Sequence, residues 1–391
     1  MAKVTSNLLV IHGGGPTAVL NASLYGVITK ASQSEKIHKI YGAKNGTGGL
    51  LREELLDLTN RTPEMLNTLL TSPGTAIGTS RDALEEKDYR KMIAILKKFE
   101  IKYVLFNGGN GTMDTCGKLF QLCQKEAVDI QVIGIPKTMD NDIGVTDHCP
   151  GYASAARYIA QSVKEVCCDV KSLATRIVII EASGRNAGWV AAASALADES
   201  GVYAPELIYL PEVPFDENRF LADVKQKLQV KKGFVIVVSE GLRDATGKPI
   251  GQSGEHSTGR AAQFGGVSFY LADLITQKVG YRARAEKPGL LGRASIALQS
   301  EVDVKEAILV GVEAVQAITQ GQTGKMVALQ RQAVPTYQIE TVLVPLEEVM
   351  LIEKKLPALF INETNNGVTP AFIQWCKPLI GSDLPAMTSW N

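Results

Sequence analysis

The segment Pro136-Lys137-Thr138-Met139-Asp140-Asn141-Asp142 sets two carboxylates two positions apart, with a hydroxyl and an ammonium beside them. Transfer of a phosphoryl group to an alcohol requires these groups. One carboxylate can take the proton of the attacking hydroxyl, another can help place Mg2+, and Lys137 can neutralise phosphate charge. A polar turn in which Asp and Asn cap backbone groups uses the same residues. Position favours chemistry, because the segment follows the apolar run 131–135 (QVIGI). Two glycine-rich loops stand at equivalent places. His12-Gly13-Gly14-Gly15-Pro16-Thr17 follows the run 7–11 (NLLVI), and Asn107-Gly108-Gly109-Asn110-Gly111-Thr112 follows 102–106 (KYVLF). Backbone N–H groups in such loops can approach an anion, and a helix starting there adds its positive end. Tight turns also use such glycines, and the first loop is not a Walker A loop, since no Gly-Lys-Ser/Thr follows. Two of them in one sheet can flank a polyphosphate.

Basic residues gather farther along. Arg284 and Arg293, with Lys287 between them, form a local cluster in a chain whose Lys plus Arg and Asp plus Glu both number 41. The planar guanidinium fork makes paired, charge-assisted hydrogen bonds to phosphate. A solvated basic face has the same composition. Arg176 opens the apolar run 176–180 (RIVII), Ser183-Gly184-Arg185 follows it, and Glu240 follows the run 234–238 (FVIVV).

The elements that must position these residues read as α/β. The five apolar runs suit parallel strands covered on both faces. Between them, Thr62-Pro63 supplies an N-cap and first helical residue for a segment ending near Thr71, and residues 85–99 and 304–319 carry apolar positions at helical spacing. Loops at the carboxyl ends of parallel strands are the expected site. The polar, glycine-rich stretch 241–259 reads as a mobile surface loop or a solvated insertion, and the segment from Lys354 to Asn391 as a packed tail. Balanced charge gives no reason to expect nucleic acid or a membrane surface as partner. Six cysteines without a C-x-x-C pair fit buried thiols in a reducing compartment. With no signal peptide at the N-terminus and no run of the roughly eighteen apolar residues that a membrane span needs, a cytoplasmic protein is expected.

GGNGT, PKTMDND, RIVIIEASGRNAG, RARAEKPGLLGR and GQTGKMV together resemble the phosphofructokinase family, in the branch shared by ATP- and pyrophosphate-dependent enzymes. The resemblance runs from Leu8 to about Leu329. It implies a two-lobed, doubly wound α/β protein with mainly parallel sheets and the site in the interlobe cleft. Residues 1–150, with a returning segment at about 294–345, would bind the phosphoryl donor. Residues 151–293, with the C-terminal tail at about 346–391, would bind fructose 6-phosphate. Asp140 matches the base that takes the proton of the sugar 1-hydroxyl. Asp142 and Thr138 match its neighbours that place the sugar phosphate and the transferring phosphoryl. Gly15, Gly109, Gly111 and Thr112 match the donor loops, Arg81 a donor-side arginine, and Arg185 an arginine near the transferring group, with Ser183 and Gly184 beside it. Glu240 matches a carboxylate bonded to the sugar, and Arg284 and Arg293 flank the sugar-phosphate loop. Arg176, with Arg284, matches arginines that reach in from a neighbouring subunit, so a homodimer or homotetramer is expected.

The chain also departs from the family pattern. Asn110 stands where many ATP-dependent members have an aspartate linked to Mg2+, so the metal is expected on donor phosphates, water and Asp140 or Asp142, with Asn110 at its edge. Leu290 and Gly292 replace a usual His or Tyr and a usual Gln. Tyr25 and Thr29 stand where allosteric bacterial enzymes have effector-binding arginines. The donor is expected to be ATP, with pyrophosphate as the alternative: Gly111 lacks the aspartate that would crowd an α-phosphate, although Lys137 is the residue that pyrophosphate enzymes carry. Two other classes are disfavoured. A non-catalytic regulatory chain would have lost Asp140 or the glycine loops. A nicotinamide-dependent dehydrogenase would place its ribose-binding acid after the second strand, whereas Glu35 precedes the run 37–41.

Overall fold

The computed structural model describes residues 6–251 and 266–388. It divides into two compact units, Met1–Tyr152 with Arg293–Lys354, and Ala153–Gly292 with Lys355–Asn391. The architecture is α/β with mainly parallel sheets.

The first unit is built on β1 (Ser6–Gly13), β2 (Ile37–Ala43), β3 (Leu55–Asp57), β4 (Ile101–Gly108) and β5 (Gln131–Pro136), and the second contributes β6 (Ile177–Ala182), β7 (Leu207–Tyr209), β8 (Phe234–Ser239) and β9 (Ala283–Glu286). The chain then returns to the first unit for β10 (Lys325–Arg331) and β11 (Ile339–Pro345). The first sheet has the order β11-β10-β5-β4-β1-β2-β3. Its five central strands run parallel, and β3 and β11 are antiparallel edges.

Strand side chains alternate between faces, and here both faces are dry. Leu9, Ile11, Val104 and Phe106 join one apolar cluster with the helices Glu86–Lys98 and Asn110–Lys125. Leu8, Val10, Tyr103 and Leu105 join another with Leu20–Ala31 and Glu301–Thr319. Two-sided covering explains why these strands read as continuous apolar runs. Ser300 caps the last helix by accepting from Asp303 N–H, and Thr62 caps Pro63–Leu69 by accepting from Met65 N–H. The helices Leu20–Ala31 and Glu301–Thr319 meet through glycine. A Cβ on Gly26 would stand 2.3 Å from the Ile308 carbonyl oxygen, and one on Gly311 2.3 Å from that of Ser23.

The second unit holds a four-stranded parallel sheet, β7-β8-β6-β9. The tail packs on this unit: Trp375 stacks against Trp189, Phe360 and Phe372 at ring separations of 4.9, 5.8 and 5.9 Å. Of the glycine-rich stretch 241–259, residues 252–259 lie outside the described residues. Among the described residues no helix is long and apolar enough to cross a membrane.

Candidate functional site

In the first sheet the chain leaves β1 toward β2 and later returns to β1's other side as β4. Strand order reverses there, and open parallel sheets bind ligands at the carboxyl ends of such strands. Gly13 ends β1 opposite Gly108, which ends β4, and Gly108 faces Pro136, the end of β5. The two glycine loops and the Lys137–Asp142 segment therefore emerge side by side.

The glycines answer to close approach. A Cβ on Gly13 or Gly108 would lie 2.3 or 2.2 Å from Thr112 Oγ1. Gly14 has φ +78°, in the left-handed region. Beside Gly15 stand two guanidinium groups, so that a Cβ there would meet Arg293 Nη1 at 2.5 Å and Arg81 Nη2 at 3.3 Å. The strand-like segment before Arg81 is fastened to this loop: Gly14 N–H donates to the Ser80 carbonyl at 3.0 Å, and Thr79 Oγ1 donates to the Gly14 carbonyl at 2.9 Å. Asp82 anchors the far side, accepting from Thr47 and Ser80 hydroxyls and the Gly48 N–H. Gly109 caps Asn110–Lys125, whose first-turn N–H groups face the loop.

Lys137 is 2% exposed, and its Nζ donates to the Gly15 carbonyl at 2.6 Å. Burial lowers its pKa to about 8, while Asp140 opposes that shift and Arg293 adds to it. Three cations, Lys137, Arg81 and Arg293, thus surround one backbone loop, with Asp140 in electrostatic reach of Lys137 and Arg293. Thr138 Oγ1 accepts from Asp140 N–H at 3.1 Å, fixing the turn that carries the carboxylate. Asn141 takes φ +53°, which Asn tolerates, and its Oδ1 accepts from Cys149 N–H at 3.0 Å. Burial raises the Asp142 pKa, partly offset by a hydrogen bond from Thr138. Asn110 Nδ2 donates to the Asp142 carbonyl at 3.0 Å. His12, in β1, is fully buried, and burial together with Lys137 lowers its pKa to about 3, so it stays neutral.

Mg2+ is tested by the oxygens present. Among the described residues no group of three or more His, Cys, Asp or Glu could hold a metal. Asn110 Oδ1 and Asp142 Oδ1 are buried without a hydrogen-bond partner. Mg2+ keeps several waters and takes few protein oxygens alongside substrate phosphates. Two such oxygens, Asn110 Oδ1 and Asp142 Oδ1, fit an ion held that way.

In the second unit the reversal lies between β6 and β9, and β6 pairs with both β8 and β9. Ser183-Gly184-Arg185, Glu240 and Lys287 follow the carboxyl ends of β6, β8 and β9. Gly184 N–H donates to Glu240 Oε1 at 3.3 Å, and burial raises the Glu240 pKa, against that hydrogen bond and Lys287. Lys287 lies 2.6 Å from Glu181 and 3.9 Å from Glu240. Sequence reasoning missed Glu181, which also accepts from the N–H groups of Gly266 and Ser268 at 3.1 and 3.0 Å. It hid inside an apolar strand, and its one signal was a carboxylate in a run otherwise fit for burial. Arg176 and Arg284 stand elsewhere in this unit. Arg176 precedes β6 at its amino end and pairs with Asp169 at 3.0 Å, and Arg284 lies within β9 and pairs with Glu286. Arg293, expected in the sugar lobe, is the first residue of the returning segment of the first unit, at Gly15.

Residues 7–318 match the family model for phosphofructokinase. The chain belongs to the phosphofructokinase family. It is a phosphotransferase of that family. Over 389 residues it is 39% identical to the pyrophosphate–fructose 6-phosphate 1-phosphotransferase of Xanthomonas campestris pv. campestris, covering 97% of this chain and 92% of that protein. The enzyme of the same name from Methylococcus capsulatus is 38% identical, with 97% and 93% covered. The crystal structure of a pyrophosphate-dependent phosphofructokinase from Nitrosospira multiformis superposes with a TM-score of 0.89 at 34% identity, covering 99% of this chain and 95% of that one.

These relatives overturn ATP as the expected donor, and with it ATP as co-substrate and the nucleotide-binding reading. The space inferred beside Gly111 is real, since a Cβ there would meet nothing within 4 Å. Space only permits a nucleoside to pass and supplies no group that binds one. Lys137, which pointed the other way, is a buried cation at the first glycine loop.

Proposed function

We propose that this chain transfers a phosphoryl group from pyrophosphate to the 1-hydroxyl of fructose 6-phosphate. Near-full-length similarity to relatives named for that reaction carries the reading. Asp140 takes the proton of the 1-hydroxyl. That oxygen forms the new bond to phosphorus while the bridging P–O bond of pyrophosphate breaks, and orthophosphate leaves. Backbone N–H groups at Gly15, Gly109, Gly111 and Thr112, with Arg81 and Lys137, hold the donor. Arg185 faces the charge that develops on the moving phosphoryl. Thr138, Asp142, Ser183, Gly184, Glu240 and Arg293 bind the sugar phosphate, and Arg176 and Arg284 join them from a second subunit of a homo-oligomer. The first unit carries the donor groups, and the second carries Ser183, Gly184 and Glu240 of the sugar side. Mg2+, on Asn110 and Asp140, supplies charge neutralisation for the donor oxygens. Purified protein is assayed with fructose 6-phosphate and Mg2+, and with either donor. Turnover with pyrophosphate is expected; turnover with ATP alone overturns the reading.

A further inference from the structure

Directly behind Asp140 and Asp142 the chain turns through residues 143–151 and closes on itself. Thr138 N–H donates to the Pro150 carbonyl at 3.1 Å, and Cys149 N–H to Asn141 Oδ1 at 3.0 Å. In this turn sits His148, 0% exposed. Its Nδ1 lies 2.9 Å from Asp147 Oδ2 and its Nε2 2.6 Å from Glu306 Oε2. An ionised carboxylate only accepts hydrogen bonds, so both ring nitrogens must donate. A ring that donates twice is the imidazolium.

The charges around it come from every element packed on the turn. Glu306 lies in the helix Glu301–Thr319, and its Oε1 accepts from the Tyr337 hydroxyl, between β10 and β11, at 2.5 Å. Arg331, at the end of β10, donates to Asp147 Oδ2 at 3.2 Å and lies 4.8 Å from the Tyr337 ring centroid. Lys354 Nζ donates to the Thr146 and Asp147 carbonyls at 2.8 and 2.7 Å. Asp303, one helical turn before Glu306, accepts from Gly151 N–H at 2.8 Å. Three cations thus answer three carboxylates. Removing the proton of His148 would leave a ring lone pair facing a carboxylate oxygen, and one of its two ties would become repulsive.

We propose that protonated His148 is a positioning residue for phosphoryl transfer: by bridging Asp147 to Glu306 it fastens the loop bearing Asp140 and Asp142 to the helix Glu301–Thr319, and loss of its proton loosens that loop. The inference rests on Asp140 being the reacting base. The same helix crosses Leu20–Ala31, which follows the first glycine loop, so the tie also relates the acceptor side of the motif to the donor side. Burial pulls the His148 pKa down, but the hydrogen bonds and charges of Asp147 and Glu306 outweigh it and raise it to about 9.

The chain has four histidines, so labelling them with 13C lets NMR follow His148 across pH. In the wild type its resonance should stay that of the imidazolium through neutral pH and titrate near 9. Glu306→Gln removes one anion and should lower the midpoint by about one pH unit or more. Tyr337→Phe takes away a hydrogen bond that shares the Glu306 charge, and should raise it. The alkaline limb of kcat, measured with saturating substrates, should move with the midpoint in both variants, in opposite directions, while the KM values hold. Either variant suffices if the other fails to fold. A neutral His148 at pH 7, or a kcat limb that stays in place while the midpoint moves, overturns the proposal. Neither readout depends on which donor supports turnover, so a failure here is distinct from a failure of the pyrophosphate reading.

Discussion

The Lys137 ammonium lies 2.6 Å from the Gly15 carbonyl oxygen and joins the segment after β5 to the loop after β1. The contact spans 122 positions of sequence. It holds a cation in a place where burial would otherwise strip its proton, and pairing with a donor phosphate would repay that cost.

Lys137 therefore predicts a pH dependence with a definite sign. Burial lowers its pKa to about 8, so in the free enzyme the charge is present below that pH and lost as pH rises through it. kcat/KM for pyrophosphate should fall above about pH 8. A bound anion keeps the proton on, so the limb in kcat should lie higher. Lys137→Met should remove the limb near pH 8, leaving the one near 9 that His148 supplies, and lower kcat/KM by roughly ten- to a hundredfold, the worth of one charge-assisted hydrogen bond. A limb near pH 8 that survives in Lys137→Met assigns it to another group.

Asp140→Asn is nearly isosteric and removes the basic oxygen. Turnover should drop by about two to four decades while the fold and sugar binding hold. A variant within about threefold of wild-type kcat would remove the role of base from Asp140.

His148 also links stability to pH. Its folded pKa is raised from 6.5 to about 9, so the stabilisation is full below pH 6.5 and disappears as pH rises through about 9. Denaturant titrations should show His148→Gln well below wild type in stability at pH 6, with the gap narrowing at pH 10. A gap independent of pH would mean that the residue contributes packing alone.

The fold was legible because the candidate site residues sit at the ends of buried strands. The runs at 7–11, 102–106, 131–135, 176–180 and 234–238 read as strands because both faces are covered, and each carries candidate site residues at its carboxyl end. What stayed hidden depends on long separations or on edges. β3, β7 and β9 are three or four residues long and leave little periodicity to read. The partner of His148 lies 158 positions away, and nothing local marks Glu306 as anything but a helix residue. The donor was misread because an absent obstruction at Gly111 was weighed above a present cation at Lys137.

Gly26 and Gly311 predict a purely structural effect. Alanine at either would press a methyl into a backbone carbonyl of the facing helix, which cannot swing aside as a side chain can. Each substitution should cost about 1–3 kcal/mol of unfolding free energy. Thermal or denaturant unfolding reads the loss, and an unchanged midpoint would mean the helices separate without cost.

Arg176 and Arg284 give the final test. Both lie in the second unit, yet neither follows the carboxyl end of a strand, where Arg185, Glu240 and Lys287 gather. Arg176 stands at the amino end of β6, held by Asp169, and Arg284 within β9, held by Glu286. We propose that from those positions they serve the site of a neighbouring copy in a homo-oligomer. Arg176→Ala alone and Asp140→Asn alone should each be nearly inactive. Mixed and allowed to exchange subunits, they should recover part of the activity, because some sites then combine an intact Asp140 from one chain with an intact Arg176 from the other. In a dimer with random exchange, about half of the molecules are hybrids and each hybrid has one complete site, so recovery should approach a quarter of the wild-type rate. No recovery after demonstrated exchange, or full activity in a strictly monomeric preparation, would place both arginines in the service of their own chain.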